Sequence, residues 1–141
     1  MRVLVDSNVV LNKLLKQPVF FVGSNAIFTL AEIGRITGYI SASAITDIYY
    51  IARKNLGKAA AHEAIKKMLT VFSPATVTGD DIYQALDLEW EDFEDSVQYV
   101  VGEGLAVDYI VTRNTKDFTS GSITAVTPEQ FIEAITERDQ A

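Results

Sequence analysis

The chain has no cysteine and a single histidine, His62, among its 141 residues. Disulfides, thiolate metal sites and cysteine nucleophiles are excluded together, and most histidine-based triads with them. Chemistry is left to carboxylates, hydroxyls, lysines, arginines and any metal that prefers oxygen ligands, such as magnesium or manganese. No apolar run approaches the ~20 residues that a membrane span requires. Basic residues are also scarce: 12 against 19 acidic ones give a net charge of −7, which argues against unspecific coating of nucleic acid, since phosphates are neutralised by Lys and Arg. The same excess is compatible with a carboxylate cluster that metal ions neutralise when bound. The opening MRVLVDSNVVL has one positive charge followed by apolar residues, but Asp6 and Asn8 interrupt it and no small-residue cleavage site follows. It reads as a strand, and the protein as cytoplasmic.

What is present is an alternation of short apolar runs with helical periods. Val3 to Val5 form a buried strand ending at Asp6. Asp6, Ser7 and Asn8 suit the start of a helix over VVLNKLL, which the proline of QPVF ends. Ser24 to Thr37 has helical spacing with Gly38 as its stop. YISA is a strand leading into a helix capped by Ser43 and ended by Gly57, and residues 58 to 69 are helical by propensity. TVFSPATV reads as strand and turn, Thr78 to Leu88 and Asp92 to Gly102 as helices, and VDYIVT as a buried strand. A last short strand precedes a last helix, opened by Thr127, Pro128 and Gln130 as a capping box. The pattern predicts one domain over residues 1–141, with a mostly parallel sheet between helices on both faces.

In such folds ligands sit outside the carboxyl ends of the strands. Asp6 leaves the first strand, and Thr112, Arg113 and Asn114 leave the strand before them, so they share one rim. Asp47 lies early in the helix after YISA, and Asp117 three residues past Asn114. Asp92 and Asp95 share the first turn of one helix, where the dipole favours ionised carboxylates. Singly, Asp6 reads as a helix cap, Asn114 and Asp117 as turn residues, and Glu89 to Asp95 as a solvated helix start. Asp47 fits a plain surface role least, given Ile45, Ile48 and Ile51 around it. Together they form converging carboxylates that repel unless a cation sits among them, and hard divalent cations are the natural filler.

The strings LVDSNVVL, YISASAITDIYYIARK, DFEDSVQY and DYIVTRNTKDF, in this order across most of the chain, resemble the PIN-domain family, including the VapC-type toxin ribonucleases of prokaryotic toxin–antitoxin pairs. The resemblance implies a three-layer α/β/α sandwich, an endoribonuclease dependent on Mg2+ or Mn2+ that cuts single-stranded RNA, a cognate antitoxin and a homodimer. Carried over by residue, the first family acid is Asp6, supported by Ser7 and Asn8. Asp47 stands where the family usually has glutamate. Asp95 is the third acid, with Asp92 beside it. The fourth usually lies in a Thr-Arg-Asp string; here Asn114 takes that place, which lowers the charge of the site, and Asp117 is the nearest carboxylate. Thr112 and Asn114 would orient ligands or water, and Arg113 would reach a phosphate or a site acid.

RNA also needs cations, and Arg53, Lys54 and Lys58 on one side and Arg113 and Lys116 on the other are the candidates, with Lys66 and Lys67 as solvated helix residues. Tyr49, Tyr50 and Tyr99 are candidates for base stacking, or for core and subunit contacts. Phosphoryl chemistry on an aspartate, as in receiver domains or haloacid-dehalogenase-like phosphatases, needs paired acids or an Asp-x-Asp string at the first strand exit, and Asp6-Ser7-Asn8 supplies neither. A second class of reading is a PIN-like module without catalysis, in which Asp47 and Asn114 have weakened the metal site.

Overall fold

A computed structural model describes residues 1–140 of the chain. It begins with strand β1, Arg2–Val5, followed by helices α1, Ser7–Leu14, and α2, Phe21–Glu32. Strand β2, Thr37–Ser41, leads into α3, Ala42–Leu56, and α4, Lys58–Val71. Strand β3, Ser73–Ala75, precedes α5, Gly79–Leu88, and α6, Phe93–Leu105. Strand β4, Tyr109–Val111, a 3-10 turn at Thr115–Phe118, strand β5, Thr124–Val126, and α7, Pro128–Gln140, complete the order.

The strands lie in the order β3-β2-β1-β4-β5, and all four pairings are parallel. Successive strand side chains point to opposite faces, so β1 feeds two cores. Val3 and Val5 join Val9, Ile27, Ile48, Met68, Phe72 and Phe131 on the face covered by α1, α2, α3, α4 and α7. Leu4 joins Tyr99, Val107, Ile110 and Phe118 on the other face, next to the small cluster that α5 and α6 build around Ala85, Val97 and Val101. Both layers bury wholly apolar side chains, each worth roughly 1.5–3 kcal/mol. The result is the expected three-layer α/β/α sandwich.

Local expectations hold unevenly. Thr127 and Gln130 form the predicted capping box: the Gln130 main-chain N–H donates to Thr127 Oγ1 at 3.1 Å, and the Thr127 N–H to Gln130 Oε1 at 2.9 Å. An equivalent box opens α5 between Thr78 and Asp81. The cap of α3 is Ser41, whose Oγ accepts from the Ala44 N–H at 3.3 Å, rather than Ser43. Helix α2 stops at Glu32, five residues before the predicted end, and Gly34 takes the left-handed backbone (φ +80°) that follows. Gly38 is no stop signal. It lies inside β2, where the Phe72 ring packs so closely that a Cβ would overlap it.

The order places the chain reversal between β1 and β4. Connections leaving β1 run outward to β2 and β3, whereas β4 and β5 lie on its other side. The carboxyl ends of β1 and β4 therefore meet at the switch point, where a crevice is expected in a sheet of this type. Asp6 follows one strand and Thr112 the other.

Candidate active site

Asp6 is held from three directions. Its main-chain N–H donates to the Val111 carbonyl at 2.9 Å, which continues the sheet for one residue past β1. Thr112 Oγ1 donates to Asp6 Oδ2 at 2.7 Å, and Gln98 Nε2 donates to Oδ1 at 3.0 Å. Ser7 Oγ lies 3.4 Å from the same Oδ1. Asp6 is only 5% exposed, and Thr112 and Gln98 are fully buried. Hydrogen bonds to a charged acceptor are short and strong, so this carboxylate is fixed in one orientation at the carboxyl end of β1. Thr112 also accepts from the Asn114 main-chain N–H at 3.0 Å, which ties the turn after β4 to Asp6 through one hydroxyl.

Helix α6 brings the next acids. Asp92 is its N-cap, accepting from the Asp95 N–H at 3.1 Å, so the residue expected as a helper serves the helix start. Asp95 is buried, and its pKa is pushed up to about 7 by burial first and then by the charges of Asp92, Asp6, Asp117 and Glu94. Glu94 is raised too, by burial and then by Asp47, Asp6 and Asp92. These mutual influences bring Asp6, Asp92, Asp95, Asp117 and Glu94 into one field, and Asp47 joins through Glu94. Asp47 is exposed on α3 rather than enclosed by its isoleucines, and Ile51 is itself exposed. Asp117 sits in the 3-10 turn, its N–H donating to the Asn114 carbonyl at 3.0 Å. With Lys116 it lines an open cavity of about 1010 Å³ walled by Glu89, Trp90 and Asp92. Asn114 is exposed, and its side chain does not cap that turn.

The expected cations are less well gathered. Arg53 and Lys54 occupy the last turn of α3, about 9 Å along the axis beyond Asp47, where the carbonyl end of a helix favours positive charge. Arg113 is engaged elsewhere: its guanidinium is paired with Glu129 and its side chain is only 13% exposed. Its main-chain N–H donates to Asn8 Oδ1 at 3.3 Å, which is the support that Asn8 gives the rim. Of the tyrosines, Tyr99 is core, packed on Trp90 with its hydroxyl 2.9 Å from Ser122 Oγ. Tyr49 packs on His62, and Tyr50 is exposed.

Two residues of the site were not singled out from the sequence, Gln98 and Glu94. The signal for Gln98 was there: Asp92, Asp95 and Gln98 recur every three residues along a helix that is otherwise apolar at Val97, Val100 and Val101. Glu94 was hidden in the acidic run before it. Gln98 matters further because its Oε1 is buried with no hydrogen-bond partner among the described residues, directly beside Asp6. An orphaned acceptor next to a carboxylate suits water or a hydrated cation. No three acidic or histidine side chains among the described residues close around one point. Magnesium keeps several waters and takes only one or two carboxylates, so the donor set of Asp6, Asp95 and neutral oxygens fits such an ion without a closed cage.

A parallel α/β/α sandwich with an acidic rim at the β1/β4 switch point defines a class of fold, and comparisons with known proteins place it. The family model described as PIN domain matches residues 2–116; the chain belongs to the PIN-domain family. Among curated proteins no sequence matches significantly. Among solved structures it is similar to VapC20 of Mycobacterium tuberculosis, described as a toxin that cleaves the sarcin-ricin loop, with a TM-score of 0.69 and 15% identity over 84% of this chain and 95% of that one. It is also similar to VapBC2 of Rickettsia felis, bound to a promoter DNA fragment (0.68, 16% identity, 89% and 97% coverage), and to a toxin–antitoxin complex of Klebsiella pneumoniae (0.66, 20%, 89% and 97%). At such identities the likeness is one of fold.

Proposed function

We propose that the protein is a cytoplasmic endoribonuclease, dependent on Mg2+ or Mn2+, that hydrolyses phosphodiester bonds in single-stranded or structured RNA, and that it is the toxin of a toxin–antitoxin pair. The observation that carries this reading is the Asp6 carboxylate, buried and fixed by Thr112 and Gln98 at the sheet's switch point, with Asp95 close enough for its proton affinity to respond to it. Family membership and the similar fold of VapC20 support it.

Asp6 and Asp95 would hold the cation, with Asp117 and Asn114 completing its surroundings. When bound, the ion supplies positive charge that activates water and stabilises an in-line attack on phosphorus. The chain's own residues prepare for that. Thr112 and Gln98 keep the Asp6 carboxylate oriented by donating to one oxygen each. In the metal-free protein Asp95, crowded by four other acids, keeps its proton up to about pH 7, and a cation held there would displace it. Asp47 and Glu94 extend the acidic surface on the α3 side, where they would meet a second ion or exclude a phosphate. Lys116, which lines the same cavity as Asp92 and Asp117, is the cation available there for a phosphate. Arg53 and Lys54 would serve only an RNA long enough to run along α3.

Toxin–antitoxin complexes among the similar structures support an antitoxin partner. A homodimer is supported by the exposed apolar residues Ile82, Tyr83 and Leu86 on α5. The test is calorimetric titration of Mn2+ into the wild type, Asp6→Asn and Asp95→Asn, followed by RNA cleavage with the same samples. Loss of both binding and cleavage in the variants supports the nuclease. Asn114 in the place of an acid favours the alternative, a non-catalytic module; metal binding that is unchanged in an Asp6→Asn/Asp95→Asn double variant, without cleavage in any sample, would establish it.

A further inference from the structure

Arg113 stands in the middle of the string that shapes the rim, yet its side chain turns away from it. Nε donates to Asn12 Oδ1 at 3.2 Å. Nη1 donates to both carboxylate oxygens of Glu129, at 2.9 and 2.6 Å. Nη2 donates to the Phe20 carbonyl at 3.0 Å and lies 3.4 Å from Ser24 Oγ. The Phe20 ring covers the guanidinium face, 4.6 Å from Cζ to centroid. All three guanidinium nitrogens are thus engaged at once, by α1, the connection to α2, α2 itself and α7. A planar fork held this way has little freedom left to meet a mobile phosphate.

The same residue's main chain links two groups of the site. Before it, the Thr112 hydroxyl donates to Asp6; after it, the Asn114 N–H donates back to that hydroxyl. We infer that Arg113 is a positioning residue: by locking the exit of β4 against α1, α2 and α7, it holds the Thr112 hydroxyl on Asp6. Glu129, whose carboxylate binds the guanidinium, then governs the site through Arg113. This deepens the nuclease reading and rests on it for its catalytic consequence. The alternative use of Arg113, as a direct phosphate ligand, makes the opposite prediction for Glu129, because removing that carboxylate would free the guanidinium for RNA.

Three variants separate the two. Arg113→Lys keeps the charge and loses the fork. Glu129→Gln alters a half-exposed side chain and leaves Arg113 in place. Gly23→Ala keeps both: a Cβ at Gly23 would overlap the Glu129 carboxylate and drive that flexible side chain off the guanidinium. Steady-state cleavage of a labelled single-stranded RNA should show kcat reduced about ten- to hundredfold in all three, as expected for a small misplacement at a reacting centre. KM and its salt dependence should stay near the wild type. In the absence of RNA, amide exchange at Thr112 and Asn114, followed by NMR, should accelerate in each variant while exchange in β1 does not change. The inference is overturned if Glu129→Gln and Gly23→Ala match the wild type in kcat and in exchange. It is also overturned if Arg113→Lys raises KM at constant kcat and lowers the salt slope by about one phosphate contact. A wild type that cuts no RNA refutes the nuclease reading alone. The exchange rates then decide the positioning role, accelerated rates supporting it and unchanged rates refuting it.

Discussion

Replacing Asp95 by asparagine should stabilise the metal-free protein, and should do so only where Asp95 would otherwise be ionised. The native pKa of Asp95 is about 7 against an ordinary 3.8, because burial and the charges of Asp92, Asp6, Asp117 and Glu94 all disfavour its anion. Between those two values the folded chain keeps a proton that the unfolded chain has released. The resulting stability is complete below about pH 4 and is lost as the pH rises through 7. At roughly 1.4 kcal/mol per pKa unit, the loss is on the order of 4 kcal/mol by pH 8. Asparagine avoids that loss but gives up a favourable carboxylate in the first turn of α6, worth about 0.3–1 kcal/mol. The net expectation is a gain of about 3 kcal/mol at pH 8, a rise in Tm of about 5–10 °C, shrinking to well under ~1 kcal/mol at pH 4. Urea and thermal unfolding of both proteins in EDTA at the two pH values measure it. A gain equal at pH 4 and pH 8, or none at pH 8, would refute the claim that burial and neighbouring charges together disfavour the Asp95 anion.

Thr112→Val removes the hydroxyl that joins Asp6 to Asn114 and should cost about 1–3 kcal/mol in stability, with RNA cleavage falling at least about tenfold; urea titration and a cleavage assay read the two effects. Gln98→Leu should reduce cleavage similarly and weaken Mn2+ binding in calorimetry, since it removes both the donor to Asp6 and the orphaned acceptor beside it. Asn114→Asp adds a carboxylate to the rim, so Tm in EDTA should fall while the rise on adding Mn2+ should grow. Gly38→Ala should destabilise by about 1–3 kcal/mol, because its Cβ would enter the buried Phe72 ring; Gly34→Ala, with open space around it, should cost only the left-handed backbone, about 1 kcal/mol.

The parts of this architecture that local chemistry specifies were legible in the residues. The β-branched runs before Asp6 and Thr112 mark the two central strands, and the Thr127/Gln130 box marks the start of α7. Whatever depends on distant partners was not. Gly34 and Gly38 look alike as helix stops, and only the Phe72 ring, brought to β2 through the β2–β3 pairing, shows that Gly38 gives access to an aromatic. Arg113 reads as a phosphate ligand until α7 places Glu129 beside it. Tyr99 reads as a stacking platform until Trp90 and Ser122 enclose it. For the site, strand exits identify Asp6 and Thr112, because a polar residue after a buried strand lands on a predictable edge. The three-residue spacing from Asp92 and Asp95 marks Gln98 as sharing their face of α6, but its bond to Asp6 depends on that face meeting β1.

Whether Asp6 anchors a metal-dependent nuclease is decided by a single cleavage assay. Purified protein is incubated with a labelled single-stranded RNA in Mg2+, Mn2+ or EDTA, with Asp6→Asn prepared in parallel to expose contaminating nuclease. Cleavage should occur with either metal, with none in EDTA and none in the variant, whose fold is intact by its melting curve. Equal cleavage by Asp6→Asn, or cleavage by the wild type that persists in EDTA, would contradict it.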